Sequence, residues 1–306
     1  MRSGIVLLCV SLIGTFGCSG PSSPERPTST GVVRNISCQA ANSPSHHTQA
    51  HRRSVSVDGV NLSILEAGAG DPVMFVHGVV TTSNIFPKYL SAYSPQYRGI
   101  AVDLRGYGDS DKPESGFTID QFAADLIHLA DQLGIDKPVW VGVSMGGMIL
   151  QRLALDYPSR VRALVLVSTT DGAMILDRDI PTIGAPRDYR VVSKNMIIES
   201  FPPGTNPTVY QPLLDRIPTW NVTVLRQALT SMSQFNVHGL LSTITTPTLV
   251  MVGAKDDVAT PAIAKGVQTQ IHGARLVEFN TGHFMMAEDP DRFRTVLGDF
   301  LRNLGK

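Results

Sequence analysis

A serine set between glycines is the first group in the chain with an evident chemical use. Gly142, Ser144 and Gly146 form a G-x-S-x-G pattern between the apolar run VWVGV (139–143) and a helix that we predict from Gly146 to Tyr157. Small residues at this spacing suit a sharp turn, because a larger side chain would collide with the backbone there. A serine on such a strand-to-helix turn is a candidate nucleophile. The same pattern is common in ordinary turns, so its interpretation depends on partner residues elsewhere.

An activated serine requires a histidine base and an acid that orients the histidine. His283 follows the predicted strand RLVEF (275–279), and Asp256 follows the predicted strand PTLVMVG (247–253). Loops that follow parallel strands meet at one edge of the sheet, so both side chains are expected to lie near Ser144. We therefore predict a catalytic triad of serine, aspartate and histidine.

The spacing leaves other acids and histidines open. Asp257 is an alternative acid, because spacing alone cannot separate adjacent side chains on one loop, and Asp171 is a weaker alternative after the strand ALVLVS (163–168). His238 is a candidate for the lining of a pocket. The other histidines outside the predicted active site are interpreted as surface or structural residues: His46, His47, His51, His128 and His272.

The loop after the apolar run VMFV carries a second set of groups. A tetrahedral intermediate needs two backbone N–H donors aimed at its oxyanion. Met145, directly after the serine, is predicted to supply one donor, and Val79 in the segment HGVV (77–80) the other. Gly78 allows that backbone to come close, and His77 is interpreted as a structural residue.

Strand-like and helix-like stretches that alternate along the chain must position these residues. RRSVSV and VNLSIL flank Asp58-Gly59, which is a strong hairpin signal. Short apolar strands then alternate with helices that we predict over 118–133, 146–157, 261–270 and 290–304. This alternation predicts an α/β fold with a mostly parallel sheet, covered on both faces, and an antiparallel start.

The alternation stops between Asp171 and Thr246, over a stretch longer than an ordinary connection. Helix-like pieces at 189–199 and 222–234 predict a helical lid over one end of the sheet. Few charges stand near the predicted pocket, which argues against a strongly anionic substrate. The apolar residues of the lid are candidates for the lining of an acyl pocket: Met174, Ile175, Met196, Ile197, Ile198, Trp220 and Leu225.

The composition argues against several classes of function. The 306 residues include 26 Lys and Arg and 26 Asp and Glu, so the formal net charge is zero and nothing favours nucleic-acid binding. No cysteine follows His51, so the folded part has neither a disulfide framework nor a cysteine metal site. We expect no metal and no other cofactor.

The first residues have the pattern of an export signal. Arg2 precedes an apolar stretch from Ile5 to Phe16, which is too short to span a membrane comfortably but suits a secretory signal. Gly17-Cys18-Ser19 resembles a bacterial lipoprotein processing site, so we predict a lipid anchor at Cys18. The alternative is secretion with cleavage elsewhere, for example near Ala40-Ala41.

These observations give the predicted organisation of the chain. Residues 1–18 form a signal peptide, and residues 19–50 form a flexible tether rich in Ser, Pro and Thr. Residues 51–306 form the catalytic domain, with the lid at about 171–246.

Several segments together resemble the α/β-hydrolase superfamily over residues 52 to 304. They are FVHG, DLRGYGDSDKP, GVSMGG, YPSRVRALVLVS, PTLVMVGAKDD and TGHFMMAEDP. The resemblance implies the α/β-hydrolase fold and the same triad. DLRGYGDSDKP is shared with epoxide hydrolases and dehalogenases, but those enzymes carry an aspartate where this chain has Ser144. The resemblance is therefore to the serine branch of esterases and lactonases.

We expect a serine hydrolase that cleaves a small-molecule carboxylic ester, with an apolar acyl group, through an acyl-enzyme. The alternatives are the same triad acting on a lactone, a thioester or a C–C bond, or in perhydrolysis. The alternative from a non-enzyme class of function is a catalytically silent lipoprotein that only binds its ligand. The sequence does not decide the oligomeric state.

Overall fold

The computed structural model describes residues 49–94, 96–172, 188–215, 217 and 222–304. The predicted signal peptide, Cys18 and nearly all of the predicted tether lie outside these residues and stay predictions. Met174, Ile175 and Trp220 of the predicted lid also lie outside them. Within the described part of the chain, the structure contains no helix that is long and apolar enough to cross a bilayer.

The centre of the molecule is a single sheet. Its strands follow the spatial order β1-β2-β4-β3-β5-β6-β7-β8. The pairs β1–β2 and β2–β4 are antiparallel, and every other pair is parallel. The predicted mostly parallel sheet with an antiparallel start is thus confirmed. The strands are β1 (His51–Val57), β2 (Val60–Ala67), β3 (Asp71–Val76), β4 (Tyr97–Val102), β5 (Val139–Val143), β6 (Ala163–Val167), β7 (Thr248–Gly253) and β8 (Arg275–Phe279).

The antiparallel start is made by a two-residue turn. Asp58 and Gly59 both have positive φ, at 47° and 81°. This is the backbone of a type I′ turn, whose twist matches that of the two strands, and Asp-Gly is a favoured pair for it. The predicted hairpin is therefore confirmed at the residues that signalled it.

The helices cover the sheet on both faces. Helices α2 and α3 pack against each other, α1 packs against α9, and α7 packs on β7 and β8. Thr118 caps α2, because its hydroxyl accepts the N–H of Gln121. The helices are α1 (Pro87–Tyr93), α2 (Ile119–Gln132), α3 (Met145–Asp156), α4 (Asp188–Glu199), α5 (Pro207–Leu214), α6 (Val222–Gln234), α7 (Pro261–Gln270), α8 (Met285–Glu288) and α9 (Pro290–Asn303).

The central strands carry almost no polar surface. All five residues of β5 and all five of β6 are buried, since helices cover both faces and leave no side for water. Three helices were missed by the sequence analysis: α1, α5 and α8, the last of which has only four residues. Helix α1 is short, and α5 has a proline at its first position and a second one, Pro212, in its interior. Asn206 caps α5, because its side chain accepts the N–H of Thr208.

Candidate active site

Ser144 lies at the junction between β5 and α3 in a backbone conformation that is rare for a residue with a side chain. Its φ is 54° and its ψ is −118°. Such a conformation costs roughly 1–3 kcal/mol and persists only when the surroundings enforce it. Hydrogen bonds hold the turn on both sides: the Ser144 amide donates to the carbonyl of Val167 at 2.9 Å, and the Ser144 carbonyl accepts from Thr169 Oγ1 at 2.9 Å.

The glycines around Ser144 allow the backbone to pack closely. A Cβ atom on Gly142 would lie 2.5 Å from the carbonyl oxygen of Gly146, and one on Gly146 would lie 2.3 Å from the carbonyl oxygen of Val76. Both separations are far below van der Waals contact, and both involve backbone, which cannot swing away. The G-x-S-x-G spacing is therefore a steric requirement of this turn, as the sequence analysis predicted.

His283 and Asp256 form a buried hydrogen-bonded pair. Their side chains are 4% and 0% exposed, and His283 Nδ1 lies 2.9 Å from Asp256 Oδ2 and 3.1 Å from Oδ1. Because Nδ1 faces a carboxylate, a neutral imidazole carries its proton there, and Nε2 is left as the acceptor nitrogen. This is the tautomer that a base acting on a serine hydroxyl needs.

The charge of Asp256 is stabilised in place despite burial. Burial by itself raises the pKa of this carboxyl, but His283 and the hydrogen bond from the Ala259 amide outweigh that effect, so the pKa is lower than usual. Oδ1 accepts the amides of Val258 at 3.0 Å and Ala259 at 2.9 Å. The carboxylate therefore stays ionised and fixed at neutral pH.

The structure separates the alternatives that spacing left open. Asp257 is exposed and lines the cavity described below, whereas the adjacent Asp256 is the residue that reaches His283. Asp171 contacts a different histidine: His238 Nδ1 lies 2.7 Å from its Oδ2. His238 is 73% exposed on its side chain and is not among the residues that line the cavity, so the structure does not support this candidate for the pocket lining.

The predicted oxyanion loop lies beside Ser144. A Cβ atom on Gly78 would be 3.2 Å from the Cβ of Ser144, so the loop backbone reaches the serine. Met145 begins α3, and the first amides of a helix have no partner within it. Within the described residues, the hydrogen bonds of the turns and loops do not use the amides of Val79 or Met145 as donors. Both are thus available for an oxyanion.

His77 holds the oxyanion loop as a neutral side chain. It is fully buried; its Nδ1 lies 2.8 Å from the carbonyl of Gly78, and its Nε2 accepts the amide of Leu104 at 3.1 Å. Burial lowers the pKa of His77, although the charge of Asp103 acts in the opposite direction. Both ring nitrogens are used by the backbone, which agrees with the structural role predicted for this residue.

A cavity of about 580 Å³ connects these groups, within the usual size range of small-molecule sites. Ser144, His283 and Val79 line it on the side of the sheet. Of the lid residues predicted for the pocket, Met196 and Ile198 line the cavity, whereas Ile197 and Leu225 are buried away from it. Sequence analysis missed several apolar lining residues: Val80, Phe201, Met232 and Phe284.

The expectation of few charges near the pocket was wrong. Glu199 at the end of α4 and the loop residues Lys255 and Asp257 line the cavity, and all three are exposed. They come from two segments that are far apart in the sequence, so the sequence did not show them together. The cavity thus combines an apolar wall with a charged one.

The loop that carries His283 is held from two sides. The Gly282 amide donates to both carboxylate oxygens of Glu288, at 3.0 and 3.1 Å, and the His283 amide donates to the carbonyl of Ser200 in the lid at 3.0 Å. Burial raises the pKa of the Glu288 carboxyl. The sequence analysis missed both residues, because each acts through a backbone hydrogen bond that no motif marks.

The described residues contain no group of three or more histidine, cysteine, aspartate or glutamate side chains arranged to hold a metal ion.

Comparisons with known proteins agree with this architecture. A family model described as the alpha/beta hydrolase fold matches residues 71–190. A solved N-acyl homoserine lactone degrading enzyme, Est816, is 30% identical, with 81% of this chain and 100% of that chain covered and a TM-score of 0.72. The chain belongs to the α/β-hydrolase superfamily. Its sheet has the strand directions of that fold.

Other relatives differ in the chemistry that their names describe. An esterase from Exiguobacterium antarcticum is 25% identical, covers 81% of this chain and 98% of its own, and has a TM-score of 0.75. Epoxide hydrolase 2 of Siraitia grosvenorii is 38% identical over 124 residues, which are 37% of each chain. The matches span only 37% to 42% of the length of the first curated relatives.

Proposed function

We propose that this α/β hydrolase is a serine esterase that cleaves a small-molecule carboxylic ester through an acyl-enzyme. The observation that carries the proposal is the buried His283–Asp256 pair, whose histidine lines one cavity together with a serine held in a strained turn. A nucleophile, a base in the right tautomer and an orienting acid are the three parts that acyl transfer by serine requires.

The reaction would proceed in two halves. As Ser144 Oγ attacks the ester carbonyl carbon, His283 Nε2 takes its proton, and the amides of Val79 and Met145 stabilise the oxyanion. The imidazolium then gives the proton to the departing alcohol, and the acyl group stays on the serine. Water, deprotonated by the same histidine, attacks the acyl-enzyme; the imidazolium then returns the proton to Ser144 Oγ as the acyl bond breaks and the acid is released. Asp256 keeps the ring oriented and stabilises its positive form.

The identity of the nucleophile argues against epoxide hydrolysis, the activity in the name of Epoxide hydrolase 2 of Siraitia grosvenorii. In the epoxide hydrolases that this chain resembles, the elbow residue is an aspartate, whose carboxylate opens the epoxide ring. Here the corresponding residue is Ser144, which is a weak nucleophile by itself and is suited to a carbonyl carbon once a base removes its proton. We infer that the similarity to epoxide hydrolases reflects the shared fold.

A lactone is the second candidate substrate, because the 30% identical structure is described as degrading N-acyl homoserine lactones. A lactone is a cyclic ester, so the same steps open it, and the alcohol remains attached to the acid product. The apolar wall of the cavity supports an apolar acyl group in either case.

Replacing the nucleophile tests the proposal. We expect Ser144→Ala to lower kcat for p-nitrophenyl butyrate by at least about 10⁴-fold, since the triad acts as a unit. A residual rate on the order of 10³-fold above the uncatalysed rate in water would remain, because the oxyanion donors and substrate binding are still present. The measurement is steady-state hydrolysis of the ester at pH 7.5.

Ser242→Ala serves as the matched control, because Ser242 is exposed and its hydroxyl bonds only to the carbonyl of Gly239 in its own turn. This variant should keep the wild-type rate. Near-wild-type turnover by Ser144→Ala would exclude the serine mechanism.

The two adjacent aspartates provide a matched pair. Asp256→Asn should lower kcat by roughly 10⁴-fold, because an amide in place of the carboxylate favours the wrong tautomer of His283. Asp257→Asn should change kcat by less than about threefold, since its side chain lies at the exposed wall of the cavity. Steady-state kinetics on one ester compares them, and the opposite ranking would move the acid to Asp257.

We further propose, from the N-terminal sequence, that the enzyme is exported and held at a membrane by lipid on Cys18. A tether of about thirty residues would extend roughly 30 Å as a flexible coil, which places the domain just off the surface. Labelling of cells with a fatty-acid analogue should mark the wild-type protein but not Cys18→Ala. Unlabelled wild-type protein, with activity in the medium, would support free secretion instead.

A further inference from the structure

Phe284, the residue after His283, separates the cavity described above from a second cavity. The second cavity has a volume of about 280 Å³ and is lined mostly by apolar side chains from α5 and from the segment around α8. Phe284 is the residue that the two cavities share. Its side chain is 2% exposed, so the ring fills the space between them.

Three segments run from one cavity to the other. Residues 78–80 line the first cavity, and Asn84 and Ile85 of the same segment line the second. Further along the chain, residues 201–203 line the first cavity, and Thr208, Val209, Pro212 and Leu213 line the second. His283 lines the first, and Met286 and Ala287 the second. The two cavities therefore lie along the same three segments, and Phe284 lines both of them.

Aromatic packing holds the ring in place. Phe284 lies against Phe201 with 5.3 Å between ring centroids, and Phe201 lies against Tyr210 at 5.5 Å. Phe284 also makes an edge contact with His283 at 5.2 Å. Contacts of this kind fix ring orientation. The wall between the cavities is thus rigid and adjoins the reacting centre.

We propose that Phe284 sets the upper length of the substrate chain, and that the cavity behind it is an unused binding site for the apolar end of a longer chain. This inference rests on the proposed ester hydrolysis. The second cavity is lined at its walls by Ile85, Val209, Leu213 and Met286, and by exposed Lys88 and Thr208. Its chemistry suits an unbranched hydrocarbon chain of an ester whose carbonyl lies at Ser144.

Removal of the ring should lengthen the preferred substrate. For Phe284→Ala, the ratio of kcat/KM for p-nitrophenyl decanoate to kcat/KM for the butyrate should rise at least about tenfold, because each methylene moved from water to an apolar cavity contributes up to about fourfold. Measuring a ratio within one variant cancels any general loss of activity caused by the change beside His283.

Two further variants test whether the longer chain enters the second cavity or only occupies an enlarged first cavity. Met232→Ala enlarges only the first cavity, which Met232 lines, and should raise the ratio by clearly less than Phe284→Ala does. Adding Val209→Trp to Phe284→Ala fills the second cavity and should return the ratio to within about threefold of wild type. If Phe284→Ala does not fold, as thermal melting would show, Phe284→Leu carries the same test and should raise the ratio by a smaller factor.

An unchanged ratio in a folded Phe284 variant would overturn the inference, and so would a rise that Val209→Trp does not reverse. Both results leave the esterase proposal standing, provided that wild-type protein hydrolyses the butyrate and Ser144→Ala does not. Failure of the wild-type protein to hydrolyse any ester of the series would instead count against the proposed function.

Discussion

The strained turn at Ser144 is the constraint on which the rest of the site depends. A residue with φ of 54° and ψ of −118° at the end of a buried strand is stable only while its neighbours hold it. The sheet supplies that support through the Val167 carbonyl, and Thr169 supports it from the next loop. Gly142 and Gly146 let strand and helix approach closely enough for the turn to form. Loss of this packing would release the serine into an ordinary helix start.

Burial of polar groups also costs stability at this site, and Asp256 and His77 each have partners that offset that cost. Unpaired, the carboxylate of Asp256 would be driven towards its neutral form. His283 and two backbone amides keep it ionised. His77 is buried in the neutral form and uses both ring nitrogens to position the oxyanion loop. The environment thus keeps Asp256 charged and His77 neutral, although both are buried.

Two separate segments hold the loop that carries His283 in position. The amide of His283 bonds to Ser200 in the lid, and the amide before it bonds to Glu288 in the body. Phe284 then packs on Phe201 of the lid. Ser200 thus both lines the cavity and accepts a hydrogen bond from the loop that carries His283. This link is a reason to expect lid substitutions to change kcat as well as KM.

Local signals predicted most of the fold, and long-range packing decided what they missed. Asp58-Gly59 and the apolar runs of β5 and β6 specify their structures through turn chemistry and burial on both faces. Ser144 and His283 each follow a parallel strand, so their position at one edge of the sheet could be inferred from the sequence. The choice of Asp256 over Asp257 depends on which side chain the loop turns inwards. The charged wall of the cavity depends on where the lid lies, which no local pattern encodes.

The central claim is that Ser144 is a nucleophile activated by His283, and covalent labelling tests it most directly. The protein is treated with a fluorophosphonate, and the labelled peptide is identified by mass spectrometry. The account predicts one label per chain, on Ser144, and at least about 10³-fold slower labelling in His283→Ala, since the hydroxyl is unreactive without its base. No label on the folded wild-type protein, or a label on another residue, would contradict it.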